Sequence, residues 1–307
     1  MEENVAELRK YLPIFFENPE NNKYVEYLTS AYLKNVESEK NQFAFIAFHI
    51  LYMCFVYKIV WSLKKNGDKT SFDAIMNACR NKHRLPVYSS LFDISVLGET
   101  ESFNFIRLFP FHQNDIDKFS HPVEVRNHCA HASGKLHYNE DEIEEYVSKE
   151  LEYVNQIQQK AEPLLKKLFT EFLAENWNPE ERAFANSESA VDTFIRQNFL
   201  SVKDMEYLTT IDIPELHKKS TNQKMIYTKV LYLVFVLQSQ KYAEFESNIF
   251  LEKLPLLMNG FDEQKEITLE SLVNDEFSVF IQDFSNEDKG KFENITKIKL
   301  DSYQQVL

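Results

Sequence analysis

Apolar residues recur along most of the chain at intervals of three and four positions, which is the spacing of a helix that buries one face. This spacing predicts four helices in the first part of the chain, at residues 5–16, 23–36, 41–65 and 71–81. Pro13 should bend or restart the first of these helices, and Ser71 is suited to cap the fourth. Because stretches of strict alternation are rare, the sequence predicts an all-α fold.

The segment at residues 85–115 does not give a single prediction. Residues 91–97 and 103–108 are short apolar runs that fit either a short helix or a short strand. A long helix is predicted to start at Asn139, because the acidic residues that follow it suit the positive end of a helix dipole. Pro163 should break or restart that helix.

The dipeptide Asn178-Pro179 is the strongest candidate for a domain boundary. Residues 1–176 fit one helical bundle. Residues 177–307 fit a second helical domain or an extension of the first. Helices in this part are predicted at residues 189–199, 202–209, 221–240 and 249–258. The role of residues 177–307 stays open.

One segment, residues 43–63, is apolar and near the length that spans a bilayer. His49 and Lys58 fall inside it, so we interpret it as the central helix of a bundle and predict no membrane span. The acidic N-terminus lacks the pattern of a signal peptide. The three cysteines show no paired spacing, which suits a reducing compartment. These features predict a cytoplasmic protein.

Composition argues against several functional classes. The chain has only five glycines and contains neither GxGxxG nor GxxxxGK[ST], so a Rossmann or P-loop nucleotide site is not expected and no cofactor is predicted. The net charge is −14 at pH 7, which argues against a protein that coats nucleic acid with a basic surface. An enzyme that needs only a local positive cleft is compatible with this charge.

Residues 126–131 concentrate chemically active side chains, reading Arg-Asn-His-Cys-Ala-His. Cleavage of RNA without a metal requires that a proton leave the 2′-hydroxyl, that a proton reach the 5′-oxygen, and that charge on the phosphate be stabilised. A histidine, with a reference pKa of about 6.5, can transfer such protons. An arginine presents a planar cation that matches phosphate oxygens. Arg126 and His131 are therefore the candidate catalytic pair.

The spacing places these two side chains on different sides of a regular helix. At 100° per residue, Arg126 and His131 are about 140° apart, whereas Asn127 and His131 have the i, i+4 spacing of neighbours. One copy of the segment therefore supplies half a site. A two-fold dimer would bring a second copy opposite the first, and we predict a homodimer.

The order of arginine, asparagine and histidine resembles the Arg-x4-6-His signature of HEPN domains, in the form Arg-Asn-x3-His. The resemblance implies a four- to five-helix bundle over about residues 1–176, followed by the C-terminal helical region. It implies a metal-independent endoribonuclease whose composite cleft lies between two protomers. It also implies products with a 2′,3′-cyclic phosphate and a 5′-hydroxyl, and a setting in toxin–antitoxin systems or phage defence.

The resemblance assigns roles to individual residues. Arg126 would stabilise the phosphate, His131 would act in acid–base chemistry, and Asn127 would orient or contact the phosphate. His128 is the candidate for a further contact with the substrate. The implied partners are an RNA substrate, a second copy of the chain, and an antitoxin or other regulatory protein. Some family members carry a tyrosine, modified by an antitoxin, two positions after the histidine; this chain departs from them with Ser133.

Three other interpretations stay open. Arg126 could pair with Glu124 or an acid later in the chain while His131 caps the helix end, in a plain helical interaction protein. A HEPN-like bundle without activity could bind RNA, a nucleotide or a protein partner. A metal site could draw on the local ligands His121, His128, Cys129, His131 and His137. Zinc sites usually show clearer paired spacing, so no metal is predicted.

Overall fold

The computed structural model describes residues 2–16, 18–80, 90–131, 138–175, 187–211, 222–243, 248–258, 277 and 281–298. All regular elements among these residues are helical, and no strand occurs in them. The prediction of an all-α fold is therefore confirmed.

The helices of the first half are α1 Glu2–Arg9, α2 Pro19–Glu37, α3 Asn41–Asn66, α4 Lys69–Ala78, α5 Glu99–Phe103, α6 Gln113–Ser120, α7 Pro122–Ala130 and α8 Glu140–Glu175. The later helices are α9 Ser187–Gln197, α10 Val202–Thr209, α11 Asn222–Tyr242, α12 Ile249–Met258 and α13 Asn286–Thr296. Two 3-10 helices, Leu91–Leu97 and Asn104–Leu108, flank α5. The two ambiguous apolar runs are therefore helical.

Helix α3 is the central helix of the bundle. Every residue from position 51 to 60 is buried, because the helix is apolar on all sides and is surrounded by other elements. It packs against α1, α2 and α7 and against both 3-10 helices. Among the described residues, α3 is the helix whose length and apolar composition would allow it to cross a membrane, and 83% of its most apolar stretch is buried.

The chain divides into two compact units. The first unit contains residues 1–165 together with residues 198–204, and the second contains residues 166–197 and 205–307. The candidate boundary at Asn178-Pro179 lies outside the described residues, so the division of the chain at residue 176 stays a prediction.

Residues 198–204 join the first unit through backbone pairing. The amide of Ile14 donates to the carbonyl of Leu200 at 3.0 Å, and the amide of Lys203 donates to the carbonyl of Lys10 at 3.0 Å. This pairing uses backbone groups that follow the end of α1 at Arg9. The predicted helix over residues 5–16 was therefore wrong beyond Arg9, since that stretch makes turns and then pairs with residues 198–204.

A lysine buried on α3 fixes the same returning segment. The Lys58 ammonium forms an ion pair with Asp204 and also donates to Ser201 Oγ at 2.9 Å and to the carbonyl of Tyr11 at 3.1 Å. Gln158 Nε2 of α8 donates to the other carboxylate oxygen of Asp204 at 2.7 Å. Burial lowers the pKa of Lys58, and the charge of Asp204 partly offsets that effect.

Two local predictions needed correction. Helix α4 begins at Lys69 and is capped by Asp68, whose carboxylate accepts the amide of Ser71 at 2.8 Å, so Ser71 is not the cap. Helix α8 continues through Pro163 without a break. Proline removes one amide donor, but Pro163 and Gln159, whose carbonyl loses its partner, are both exposed, so water can satisfy that carbonyl.

The second unit has an aromatic core. The rings of Phe172 and Phe194 stack at 4.3 Å between centroids, and those of Phe169 and Phe235 lie 4.6 Å apart. The Tyr232 hydroxyl donates to the carbonyl of Thr209 at 2.7 Å, so its polar end is satisfied within the core. These contacts join the end of α8 to α9, α10 and α11.

Candidate active site

Helix α7 carries most of the signature segment. Pro122 occupies its first turn, where the missing amide costs nothing because that amide would lack a helical partner. Val123 and Val125 are buried and dock the helix, which packs on α3. The helix ends where His131 adopts an extended backbone with φ −76° and ψ 137°, while its amide still donates to the carbonyl of Asn127 at 3.0 Å.

Arg126 forms an ion pair with Glu99, the first residue of α5. Its Nη2 donates to Glu99 Oε2. The Arg126 side chain is 25% exposed and that of Glu99 is 22% exposed, so the pair lies at the edge of the bundle. Nε of Arg126 is buried and has no hydrogen-bond partner among the described residues. The guanidinium is thus held by one of its nitrogens and retains unused donors.

The position of Glu99 depends on Gly98. Gly98 has φ 93°, a backbone conformation that side-chain-bearing residues rarely adopt. It ends the preceding 3-10 helix and starts α5, and its carbonyl accepts the amide of Ser102 at 3.1 Å. This turn presents the Glu99 carboxylate at the N-terminal end of α5, where negative charge is favoured.

Two fully buried ionisable residues lie behind Glu99. His49 Nε2 is 3.5 Å from Glu99 Oε2, and His49 Nδ1 is 2.6 Å from Glu150 Oε1. Neither His49 nor Glu150 has any exposed side-chain surface. We call the chain Arg126–Glu99–His49–Glu150 the buried network; its members come from α7, α5, α3 and α8.

In the buried network, neighbouring groups of opposite charge stabilise each other's ionised forms. Burial disfavours the charged imidazolium, but the charge and hydrogen bond of Glu150 and the nearby carboxylate of Glu99 outweigh that effect and raise the pKa of His49 to about 9. Burial also opposes the charge of Glu99, yet the nearby His49 and the hydrogen-bonded Arg126 lower its pKa. Burial raises the pKa of Glu150, and His49 acts in the opposite direction. At neutral pH, cationic His49 therefore contacts Glu150 on one side and anionic Glu99 on the other.

The structure separates the candidate catalytic side chains. Arg126 faces the buried network, whereas His131 is exposed at the end of α7. Asn127 lies between them in the sequence and is half-buried. No hydrogen bond or ion pair joins Arg126 to His131 among the described residues. A single chain therefore presents the cation and the imidazole at different points of one short helix.

His128, the candidate for substrate contact, lies against an aromatic group. Its exposed ring has Nδ1 2.9 Å from the hydroxyl of Tyr138, with ring centroids 6.3 Å apart. Tyr138 in turn packs edge-on against Tyr146 at 5.4 Å. Glu124, considered above as a partner for Arg126, is instead 3.4 Å from His121 Nδ1.

Two of the three cysteines, Cys54 and Cys129, are poorly suited to act as nucleophiles. Burial raises the pKa of the Cys129 thiol to about 11 and that of Cys54 to about 12, so both are protonated near neutral pH. In the part of the chain that the structure describes, no three ligand-type side chains come together as a metal site. His137, Ser133 and Gly134 lie outside that part.

Sequence reasoning missed Glu99, His49 and Glu150 as members of this site. Glu150 did leave a signal, because it occupies a core position of α8 in step with the buried residues Ile143, Val147, Val154 and Ile157. A carboxylate at such a position calls for a buried partner. His49 could have been recognised in the same way, because it is a polar residue within the most apolar helix. Nothing in the sequence indicated that Glu99 would join them to Arg126.

Comparison with known proteins adds no relative to this picture. No protein-family model, no curated protein and no solved structure matches the chain. The likeness to HEPN domains accordingly consists of residues 126–131 and the helical character of the first part of the chain.

Proposed function

We propose that the protein is a metal-independent endoribonuclease whose active site combines Arg126, Asn127 and His131 from two copies of the chain. The observation that carries this proposal is the arrangement on α7. A partly exposed guanidinium lies at the edge of the bundle, and an exposed imidazole follows five residues later at the helix end. These are the two groups that RNA transesterification needs.

The proposed reaction transfers two protons and exchanges one phosphorus–oxygen bond for another. A His131 imidazole takes the proton of the 2′-hydroxyl as that oxygen attacks phosphorus. The bond from phosphorus to the 5′-oxygen breaks, and a second, protonated His131 gives its proton to the departing oxygen. Arg126 donates to the phosphate oxygens as negative charge builds up there. Asn127 orients the phosphate, and His128 contacts the RNA beside it.

The need for a second copy follows from the separation of Arg126 and His131. They lie about 140° apart by helical geometry, and no described contact joins them. Two α7 helices related by a two-fold axis would bring the arginine of one protomer near the histidine of the other. The net charge of −14 is compatible with this arrangement, because only the cleft between protomers has to be positive.

The setting that we propose is toxin–antitoxin function or phage defence in the cytoplasm, with a regulatory protein restraining the nuclease. A non-catalytic bundle that binds RNA, a nucleotide or a protein is the second candidate. The ion pair between Arg126 and Glu99 favours it, since that contact alone could explain the arginine.

Incubation of the purified protein with single-stranded RNA in EDTA tests the proposal. We expect cleavage to fragments that end in a 2′,3′-cyclic phosphate and begin with a 5′-hydroxyl. Arg126→Lys and His131→Ala should each lower the rate by roughly 100-fold or more, with circular dichroism unchanged. His121→Ala removes an exposed histidine from the other end of α7 and should leave the rate unchanged.

Mixing the two inactive variants tests the composite site. A heterodimer of Arg126→Lys with His131→Ala retains one intact arginine and one intact histidine across the interface. It lacks one of the two proton-transfer groups, but it should cleave faster than the His131→Ala homodimer, which has neither. If both variants cleave as fast as the parent, the assigned residues are wrong. A parent that binds RNA without cleaving it would support the non-catalytic bundle, and cleavage that EDTA abolishes would indicate a metal.

A further inference from the structure

Burying the charges of this network is an energetically unfavourable way to stabilise a helical bundle. Removing an imidazolium and a carboxylate from water carries a large free-energy penalty for each ion. Well-packed apolar residues of similar size often stabilise a protein as well or better. Stability of the bundle therefore does not explain why His49 and Glu150 occupy its core with no exposed surface.

The network reaches the surface only at one end. Its inner members, His49 and Glu150, are inaccessible, whereas Glu99 and Arg126 are 22% and 25% exposed. Glu99 Oε2 is the atom that both neighbours contact, His49 from the interior and Arg126 from the edge. A carboxylate held from two sides cannot rotate freely, so the orientation of Arg126 depends on His49 and, through it, on Glu150.

We infer that Glu99, His49 and Glu150 are positioning residues that fix the Arg126 guanidinium at the bundle edge, so that the exposed part of this side chain is already oriented when a phosphate arrives. This inference rests on the proposed ribonuclease function. Catalysis by a fixed cation requires that the charge already be oriented when the transition state forms. A displacement of about 1 Å can cost about 100-fold in rate. Helices α3, α5, α7 and α8 each contribute one member of this network.

Substitutions that preserve volume separate positioning from packing. His49→Gln and Glu150→Gln keep side chains of similar size. The first removes the cation next to Glu99, and the second removes the carboxylate that holds that cation in place. Each should lower kcat by roughly tenfold to 100-fold, with little change in KM for a single-stranded RNA oligonucleotide. Glu99→Ala should lower kcat further, and Glu99→Asp should restore part of the loss relative to Glu99→Ala.

A second readout does not depend on RNA. Rotation of a guanidinium about its Cζ–Nε bond can be followed by NMR of arginine side-chain nitrogens in the full-length protein. We expect slow rotation for Arg126 in the parent and faster rotation in His49→Gln, Glu150→Gln and Glu99→Ala.

The matched control is the other buried ion pair of α3. Lys58 lies nine residues from His49, about 14 Å along the helix, and pairs with Asp204 rather than with the buried network. The double variant Lys58→Met with Asp204→Asn should lower stability but leave kcat and the rotation rate of Arg126 unchanged. If it lowers kcat as much as Glu150→Gln does, general loss of stability explains both effects and the inference is overturned.

The two proposals can fail separately. If the parent cleaves RNA and the His49 and Glu150 variants cleave equally fast, the positioning role is wrong while the ribonuclease stands. If the parent cleaves no RNA, the proposed function fails. The NMR experiment then still decides whether the network fixes Arg126, because unchanged rotation in all three variants would contradict that.

Discussion

Glu150 Oε1 lies 2.6 Å from His49 Nδ1, and neither side chain touches solvent. The two residues are 101 positions apart in the sequence and belong to α8 and α3. Each group offsets the free-energy cost of burying the other, because an isolated charge in this position would have no partner of opposite charge. The pair therefore behaves as one energetic unit, and the consequences of changing one member differ from those of changing both.

The stability of single and double variants should show this coupling. His49→Gln and Glu150→Gln should each lower the free energy of unfolding by about 3 kcal/mol, since each leaves a buried partner uncompensated. The double variant should lose less than the sum, because two neutral amides can hydrogen-bond to each other. Urea unfolding of the four proteins measures the coupling. Strictly additive losses would mean that the two residues do not interact as the structure shows.

The stability of the parent should fall as the solution becomes alkaline. The pKa of His49 is raised to about 9, above the reference value of about 6.5 that applies to an unfolded chain. Its contribution is therefore fully present below about pH 6.5 and disappears as pH rises through about 9. Glu150, Glu99, Arg126 and Tyr52 are the ionisable groups around it, so the comparison has to separate the His49–Glu150 pair from the other three groups.

The double variant His49→Gln with Glu150→Gln supplies that comparison. Urea midpoints for both proteins should be measured from pH 6 to pH 9. The difference in stability between parent and double variant should shrink across this range. A difference that stays constant or grows would show that His49 is not protonated inside the bundle.

Two helix caps share the pattern Ser-x-x-Asp, and comparing them measures how much the Lys58 contact contributes to stability. Ser201 and Ser285 both precede an aspartate by three positions, and each hydroxyl accepts the amide of that aspartate. Ser201 also accepts a hydrogen bond from buried Lys58. Ser201→Ala should cost about 2 kcal/mol and Ser285→Ala about 1 kcal/mol, measured by denaturant unfolding. Equal losses would mean that the Lys58 contact contributes nothing to stability.

Replacement of Pro163 should stabilise the protein. The residue is exposed in the interior of α8, where its ring prevents one helical hydrogen bond. Pro163→Ala restores that bond and should raise the free energy of unfolding by about 1 kcal/mol, after allowance for the greater freedom of the unfolded chain. A higher midpoint in urea would support this. A lower midpoint would indicate that the proline sets a bend that the packing of α8 needs.

The sequence predicted best those helices whose apolar residues are arranged by burial in the core. The predicted helix at residues 41–65 closely matches α3, because a long apolar segment between polar ends has few alternatives. Helix ends were less predictable, since Asp68 and Ser71 are both good caps and only the path of the chain selects Asp68.

Within the candidate site, the arginine and the histidines were visible as a local motif. The pairing of Arg126 with Glu99 was not, because it depends on where Gly98 turns the chain. The same holds for His49, whose partners come from two other helices. Polar residues on apolar faces marked the members of the network but could not identify which residues meet.

The return of residues 198–204 to the first unit has a consequence for dissecting the protein into fragments. A polypeptide that stopped at residue 176 would retain Lys58 yet lack Asp204, its counter-ion, and Ser201, its hydrogen-bond acceptor. Of its three described partners, the buried ammonium group would then keep only the carbonyl of Tyr11. We therefore expect the N-terminal bundle to lose stability in such a fragment, and expression trials of the bundle should extend at least through Asp204.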